Sequence, residues 1–391
     1  MILYTIVVIT TVFAALFTVS RPQMMSGATG RSFAPDRRGI GPSRQQLLNR
    51  ICVSFIFVFL FLLCALRIEV GNDYITYVQN AHEIYVGGVV VTEIGYNLIV
   101  KALFMLSGYE NFLLVFAFFG FATIFVFMRS MYDQSDMFAM SFALFMALGI
   151  YFRSFSTVRY YFALALSLYS IRHIIKKQYI RFVLVIVFAA LFHKSVLAVI
   201  PLYLICSLNW KKWFYPLMAA GAAGLYILKD QVMDVALRLY PSYKDTIYLT
   251  QDVGLRESIP SLLRCGLVLI LAAVCYKEAV RDNKENRMYM NMTILSVALY
   301  IGGSFIPMVS RFGYYLITPQ ILLIPGIYTR IKDEKKKKYV LYAVIAATVL
   351  YYIYFLYTAS KPGIAVLPYR SWLFNELEWN NVEEMLIYNR R

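Results

Sequence analysis

The chain has 391 residues, 60% of them apolar or aromatic and 15% charged, with a mean hydropathy of +0.61. Soluble domains run near a quarter charged, so a soluble protein of this length is excluded; the apolar stretches are continuous rather than alternating, which excludes a β-barrel. The formal charge of +16, from 38 basic and 22 acidic residues, would suit a nucleic-acid partner, but the basic residues cluster at the ends of apolar runs and no RNA- or DNA-binding motif accompanies them.

A bilayer core takes about 20 helical residues. Runs on that scale predict spans at 1–19, 47–66, 111–129, 136–152, 157–175, 180–193, 196–208, 213–229, 259–277, 288–306, 313–330 and 339–357, about twelve crossings. Residues 1–19 resemble a signal peptide only superficially, because no basic segment opens the run, and they read as a retained first span. The loop 20–46, holding Arg21, Arg31, Arg37, Arg38 and Arg44 among Gly, Pro and Ser, reads as cytoplasmic. So do the links with Arg172, Lys176, Lys177 and Arg181, with Lys211 and Lys212, and with Arg330, Lys332 and Lys335 to Lys338. The loops 67–98 and 230–258 and the tail 358–391 carry at least as many acids as bases and read as external, which puts both termini outside. The expected class is all-α, a polytopic integral membrane protein forming one membrane domain over 1–391. Cys52, Cys64, Cys206, Cys265 and Cys275 all lie in apolar stretches at no metal-ligand spacing and read as packing residues.

Two segments strain this map. Residues 180–208 form one apolar stretch between basic links that belong to the same compartment, so the chain must turn back near Phe192-His193-Lys194-Ser195. Residues 94–107, counted as a crossing, would invert every later assignment and are read as a re-entrant or interfacial helix. Short or broken helices at membrane depth need protein or a water-filled cavity around them, so both segments point to an outward-facing cavity. No internal repeat is visible, which argues against an inverted-repeat transporter.

Polar residues gather on the expected outer rim. Arg67-Ile68-Glu69-Val70-Gly71-Asn72-Asp73-Tyr74-Ile75-Thr76-Tyr77 follows the second span, and Glu93-Ile94-Gly95-Tyr96 opens the short helix. An aromatic belt with snorkelling charges would explain the first, and a helix-capping charge the second. Arg153 and Arg159, then His193 and Lys194 at the turn, then Arg311 in Ser310-Arg311-Phe312-Gly313-Tyr314-Tyr315 extend the rim. Each could snorkel alone, but charges near a bilayer are costly and five on one rim point to function. Arginine's planar fork binds phosphate bidentately, so Arg67, Arg159 and Arg311 with Lys194 suit a pyrophosphate. The interleaved tyrosines and carboxylates suit sugar hydroxyls and ring faces. Together they read as a site for a lipid-linked, phosphorylated glycan.

In this order, Arg67 with Gly71-Asn72-Asp73-Tyr74 and Tyr77, then Glu93-Ile94-Gly95-Tyr96, Arg159 followed by Ala163, His193-Lys194-Ser195, and Arg311 with Tyr314 and Tyr315 resemble the motifs of the EpsG family, Wzy-like polymerases of exopolysaccharide, capsule or O-antigen. The resemblance runs from about residue 50 to Tyr369. It departs at Tyr160, where glutamine is common, and at Asn72, where threonine is more usual. It implies a GT-C-like membrane fold and a glycosyltransferase at the outer face of the bacterial cytoplasmic membrane. That enzyme would join undecaprenyl-pyrophosphate-linked repeat units, with a chain-length regulator and a flippase as partners beside membrane lipid. Neither metal nor cofactor is expected.

The acceptor hydroxyl must lose a proton, for which the candidates are His193, Asp73 and Glu93. Histidine ordinarily titrates near neutrality, while the carboxylates also read as ligands for sugar hydroxyls. Arg67, Tyr74, Tyr77, Tyr96, Arg153, Arg159, Lys194, Arg311, Tyr314 and Tyr315 are the candidate substrate ligands. The alternatives are a lipid-linked oligosaccharide flippase and a membrane acyltransferase. A flippase would need a two-sided polar pathway; an acyltransferase with a cytoplasmic donor would need a deep histidine reached from inside, whereas His173 falls in a basic link and His82 in the outer loop.

Overall fold

The computed structural model describes residues 1–26, 43–239, 258–306 and 309–375. Arg31, Arg37 and Arg38 of the basic loop, most of the loop 230–258 and the tail beyond 375 lie outside these residues.

Among the described residues the protein is all-helical: α1 (Ile2–Leu16), α2 (Arg21–Ser26), α3 (Arg44–Ala65), α4 (Tyr74–Val86), α5 (Ile94–Ser107), α6 (Phe112–Gln134), α7 (Phe138–Ala147), α8 (Ile150–Arg153), α9 (Val158–Ile175), α10 (Tyr179–Ala190), a 3-10 turn (Lys194–Ala198), α11 (Val199–Ser207), α12 (Phe214–Ile227), α13 (Lys229–Leu239), α14 (Ile259–Val274), a π-turn (Tyr276–Val280), α15 (Lys284–Gly302), α16 (Val309–Ile317), α17 (Gln320–Tyr328) and α18 (Glu334–Thr358). Four segments are long and apolar enough to cross a membrane: Ile2–Met25, Arg44–Ala65, Phe112–Gln134 and Glu334–Thr358. Six further apolar helices are shorter, among them Ile94–Ser107 and Tyr179–Ala190. The expected span 136–152 is interrupted at Leu148 and Gly149, and the expected span 313–330 at Thr318 and Pro319. Residues 67–98, read as an external loop, contain the helix α4.

The long helices are apolar on every side and still bury only one seam. In α1 that seam is Tyr4, Val7, Thr11 and Ala15, while Ile2, Ile6, Ile9, Phe13 and Leu16 are exposed. In α3 it is Gln45, Asn49, Cys52, Ile56, Leu60 and Cys64, with Leu47, Ile51, Phe55, Val58 and Leu62 exposed. The seams follow the helical repeat, and exposed apolar faces opposite them are stable only against lipid. Polar residues inside the seams satisfy helix ends: Asn49 accepts from Val19 N–H at 3.0 Å and donates to its carbonyl at 2.9 Å, and Gln45 donates to Phe17 O at 2.9 Å.

The chain divides into two compact units. The first comprises Met1–Tyr169, Leu184–Lys194 and Leu341–Arg391; the second comprises Ser170–Val183 and Ser195–Val340. In the second, α15 is the central helix, packed against α11, α12, α14, α16 and α17. In the first, the segment after α3 is clamped between two others. Its Ile68 N–H donates to Arg370 O at 3.1 Å and Gly71 N–H to Ala365 O at 2.8 Å, while Asn72 N–H donates to Ser156 Oγ at 2.9 Å. Gly71 holds a φ of +109°, and a Cβ there would lie 2.5 Å from the Phe155 carbonyl oxygen.

A Gly71→Ala substitution therefore meets both a disfavoured backbone, costing about 1–3 kcal/mol, and a carbonyl that cannot recede without moving α9. The unfolding midpoint of the detergent-purified protein should fall by at least about 2 °C. An unchanged midpoint would mean that the 71–74 segment is not clamped in this way.

Candidate functional site

The short helix α5 begins where two backbones touch. Gly95 N–H donates to Leu191 O at 2.9 Å, and a Cβ on residue 95 would stand 2.7 Å from that oxygen. Only glycine lets the first turn of α5 dock on the turn that follows α10. One residue earlier, Glu93 occupies the cap position of α5 but makes no side-chain capping bond. Its carboxylate turns to other segments. Oε2 accepts from Arg159 Nη1, Oε1 accepts from Lys194 N–H at 3.2 Å, and His193 Nδ1 lies 3.6 Å from Oε1. Glu93 thus stands at the cap position of α5 and also bridges α5, α9 and the 191–194 turn.

Aromatic rings wall this cluster. The Arg159 guanidinium lies 5.7 Å from the Tyr77 ring and 5.4 Å from the Tyr96 ring, within cation–π range. The Arg159 backbone N–H donates to Tyr77 Oη at 3.4 Å. Tyr160 meets the His193 ring edge-on at 5.3 Å. Beneath the turn, Phe192 packs against Phe119 and Phe162. The side chains of Arg159, Glu93 and His193 keep 19%, 14% and 13% exposure, so the cluster is sheltered yet reachable. Arg159 Nε and the Tyr96 hydroxyl are buried and meet no hydrogen-bond partner among the described residues. The carboxylate pairs with the guanidinium and lies 3.6 Å from the imidazole, so an arginine fork, a carboxylate and a histidine stand in one place.

The other residues singled out in the sequence take different places. Asp73 stands half-buried one turn before Tyr77, beside the amide of Asn72 at 3.5 Å. Arg67 is 1% exposed. Its guanidinium donates to Cys64 O, to Cys64 Sγ at 3.1 Å and to Phe155 O at 3.5 Å, between the rings of Phe116 and Phe155 at 4.9 and 5.0 Å. The expectation of a rim phosphate ligand at 67 gives way to a packing role, because these contacts seal the side chain inside the first unit. Tyr74 is likewise buried, stacked on Phe116 at 4.3 Å. The Arg153 guanidinium lies 5.9 Å from the Phe355 ring.

Arg311, Tyr314 and Tyr315 belong to α16 in the second unit; Arg311 and Tyr314 are half-buried and Tyr315 is fully buried. The Tyr315 hydroxyl is 3.1 Å from Ser195 Oγ, and its carbonyl accepts from Tyr203 Oη at 2.7 Å. Gly313 allows the Tyr300 ring to pass, since a Cβ would lie 2.3 Å from Tyr300 Oη. Arg264, not among the residues expected from the sequence, is the one charge within α14 and only 6% exposed. A lone arginine inside an apolar run was the available signal.

The Glu93–Arg159 pair is measurable in isolation from any activity. A double-mutant cycle of Glu93→Gln and Arg159→Gln on thermal unfolding should give a coupling of about 1–3 kcal/mol. A coupling under about 0.5 kcal/mol would show that the two side chains do not depend on each other.

Residues 50–371 match the family model of the EpsG family. No curated protein and no solved structure matches the chain. The match covers Arg67, Gly71, Glu93, Gly95, Arg159, His193 and Arg311 together, and it runs over helices whose exposed faces are apolar. The protein therefore belongs to the EpsG family, as a polysaccharide-related membrane protein.

Proposed function

We propose that this protein polymerises undecaprenyl-pyrophosphate-linked oligosaccharide repeat units at the outer face of the bacterial cytoplasmic membrane, with both termini external. The observation that carries the reading is the Glu93–Arg159–His193 cluster: guanidinium, carboxylate and imidazole meet at the start of a helix too short to span a bilayer. Family membership supports the same chemistry.

In the reaction, an acceptor hydroxyl oxygen attacks the anomeric carbon of the donor glycan. The new carbon–oxygen bond forms as the bond from that carbon to the phosphate oxygen breaks. The carrier leaves as undecaprenyl pyrophosphate with the bonding electron pair, and the hydroxyl proton passes to a base. Arg159 in the first unit and Arg311 in the second are each assigned to phosphate, because a planar fork offers two donors to its oxygens. Lys194 adds a cation beside His193. His193 is the assigned base, with Glu93 orienting its ring and the Arg159 fork. Asp73, Tyr77, Tyr96, Arg153 and Tyr314 are assigned to sugar hydroxyls and ring faces.

A deletion strain carrying plasmid copies of the gene tests these roles. Loss of the protein should leave single repeat units on the lipid carrier at the outer face. Arg159→Lys and Arg311→Lys, at equal membrane abundance, should lower polymer about 10- to 100-fold because a point charge replaces the fork. His193→Gln should lose polymer across the pH range while Asp73→Asn keeps part of it. Repeat units trapped inside the cell would indicate a flippase, and unaltered chain length an acyltransferase; either result contradicts the proposal. Near-wild-type polymer from His193→Gln would move the base to a carboxylate.

A further inference from the structure

Helix α14 presents Leu263, Leu267, Ile270 and Val274 outward, and on its inner side it buries Arg264, Cys265, Val268 and Ala272. The arginine is therefore turned into the protein, where a charge in an apolar run is expensive. Its Nε donates to Gln320 Oε1 at 2.8 Å and its Nη2 to the Ile317 carbonyl at 2.9 Å. Gln320 is itself fixed, because its amide nitrogen reaches Thr293 Oγ1 at 3.4 Å and Cys265 Sγ at 3.5 Å.

Ile317 is the last residue of α16, the helix that carries Arg311, Tyr314 and Tyr315. Beyond it stands Pro319, which has no N–H to give to the Tyr315 carbonyl four residues back. Carbonyls near the break take side-chain donors, two of them from other helices, while Tyr314 O also keeps the Thr318 N–H at 3.0 Å. Tyr314 O accepts from Thr318 Oγ1 at 2.6 Å, Tyr315 O from Tyr203 Oη at 2.7 Å, and Ile317 O from Arg264. The carbonyl end of a helix carries partial negative charge, so a buried guanidinium there is matched to what it binds. A glutamine there has an N–H donor but neither the charge nor the reach of the guanidinium.

We infer that Arg264 is a positioning residue: by holding the carbonyl end of α16 it sets the place of Arg311 on the same helix. The inference rests on the proposed assignment of Arg311 to phosphate. Removing the guanidinium should loosen α16 without touching the ligand, and a shorter cation that still reaches Ile317 O should restore much of the effect.

The test uses the full chain in lipid nanodiscs, with undecaprenyl pyrophosphate as the probe. Hydrogen exchange of the peptide over 309–317 should rise about tenfold in R264Q, with the α3 and α6 peptides unchanged. Affinity for the probe should fall about tenfold in R264Q and stay within about threefold in R264K. Should R264Q fail to accumulate, Gln320→Ala gives the same readout with one support removed. Unaltered exchange in the variant overturns the inference alone. Raised exchange with unaltered affinity severs Arg264 from Arg311 and overturns it too. Wild-type affinity in Arg311→Gln overturns the phosphate assignment, and the inference with it, while the exchange data remain a separate result.

Discussion

A partly buried carboxylate is tolerated only where donors surround it. In this protein that constraint ties together three segments remote in sequence: Glu93 takes one donor from Arg159 and another from the backbone of Lys194, with His193 alongside. The short helix α5, the start of α9 and the turn after α10 also meet through Gly95 N–H on Leu191 O, Phe162 on Phe192 and Arg159 over the Tyr96 ring, and Gly95 allows the last ångström of approach. This carboxylate pairs with the Arg159 guanidinium and accepts the Lys194 N–H, with the imidazole 3.6 Å away. The same atoms that hold the turn in place also shape the chemistry open to it.

The two units answer the problem of broken helices in the same way, each within itself. A helix that stops inside an apolar surrounding leaves backbone groups unsatisfied, and side chains must supply what the missing turns would have supplied. In the first unit, Glu93 receives the Lys194 N–H and Leu191 O receives the Gly95 N–H. In the second, Tyr203 and Arg264 answer the carbonyls around the Pro319 break. The motif residues are thus of two kinds. Arg67, Gly71, Gly95 and Gly313 stand in close packing, while Glu93, Arg159 and His193 keep part of their side chains exposed.

What could be read from the sequence followed from lengths and charges. The stretch 94–107 could not be a crossing without inverting the later charge assignments, and the chain was expected to turn at Phe192 to Ser195; helix α5 spans Ile94–Ser107 and α10 ends at Ala190. Tertiary burial could not be read in the same way. Arg67 ends an apolar run at a rim, where snorkelling and burial look identical in sequence; only the rings of Phe116 and Phe155 decide between them. Helix α4 was hidden among the polar residues of an expected loop, because its buried face mixes Tyr74, Tyr77 and Gln79 with only Val78 and Ala81 as aliphatic residues. The breaks at 148–149 and 318–319 vanish in a hydropathy sum, although Pro319 marks the second one locally. The Glu93 bonds join positions 66 and 101 residues apart, a pairing that no local pattern encodes.

The proposed reaction requires the protein itself to form the glycosidic link and release the carrier. Purified protein in sealed vesicles, supplied with lipid-linked repeat units on the side that holds the Glu93 cluster, permits both products to be counted. A polymerase should give a ladder of glycan lengths with one undecaprenyl pyrophosphate freed for each new link. Repeat units that cross the bilayer unjoined, or links formed without release of the carrier, would contradict it.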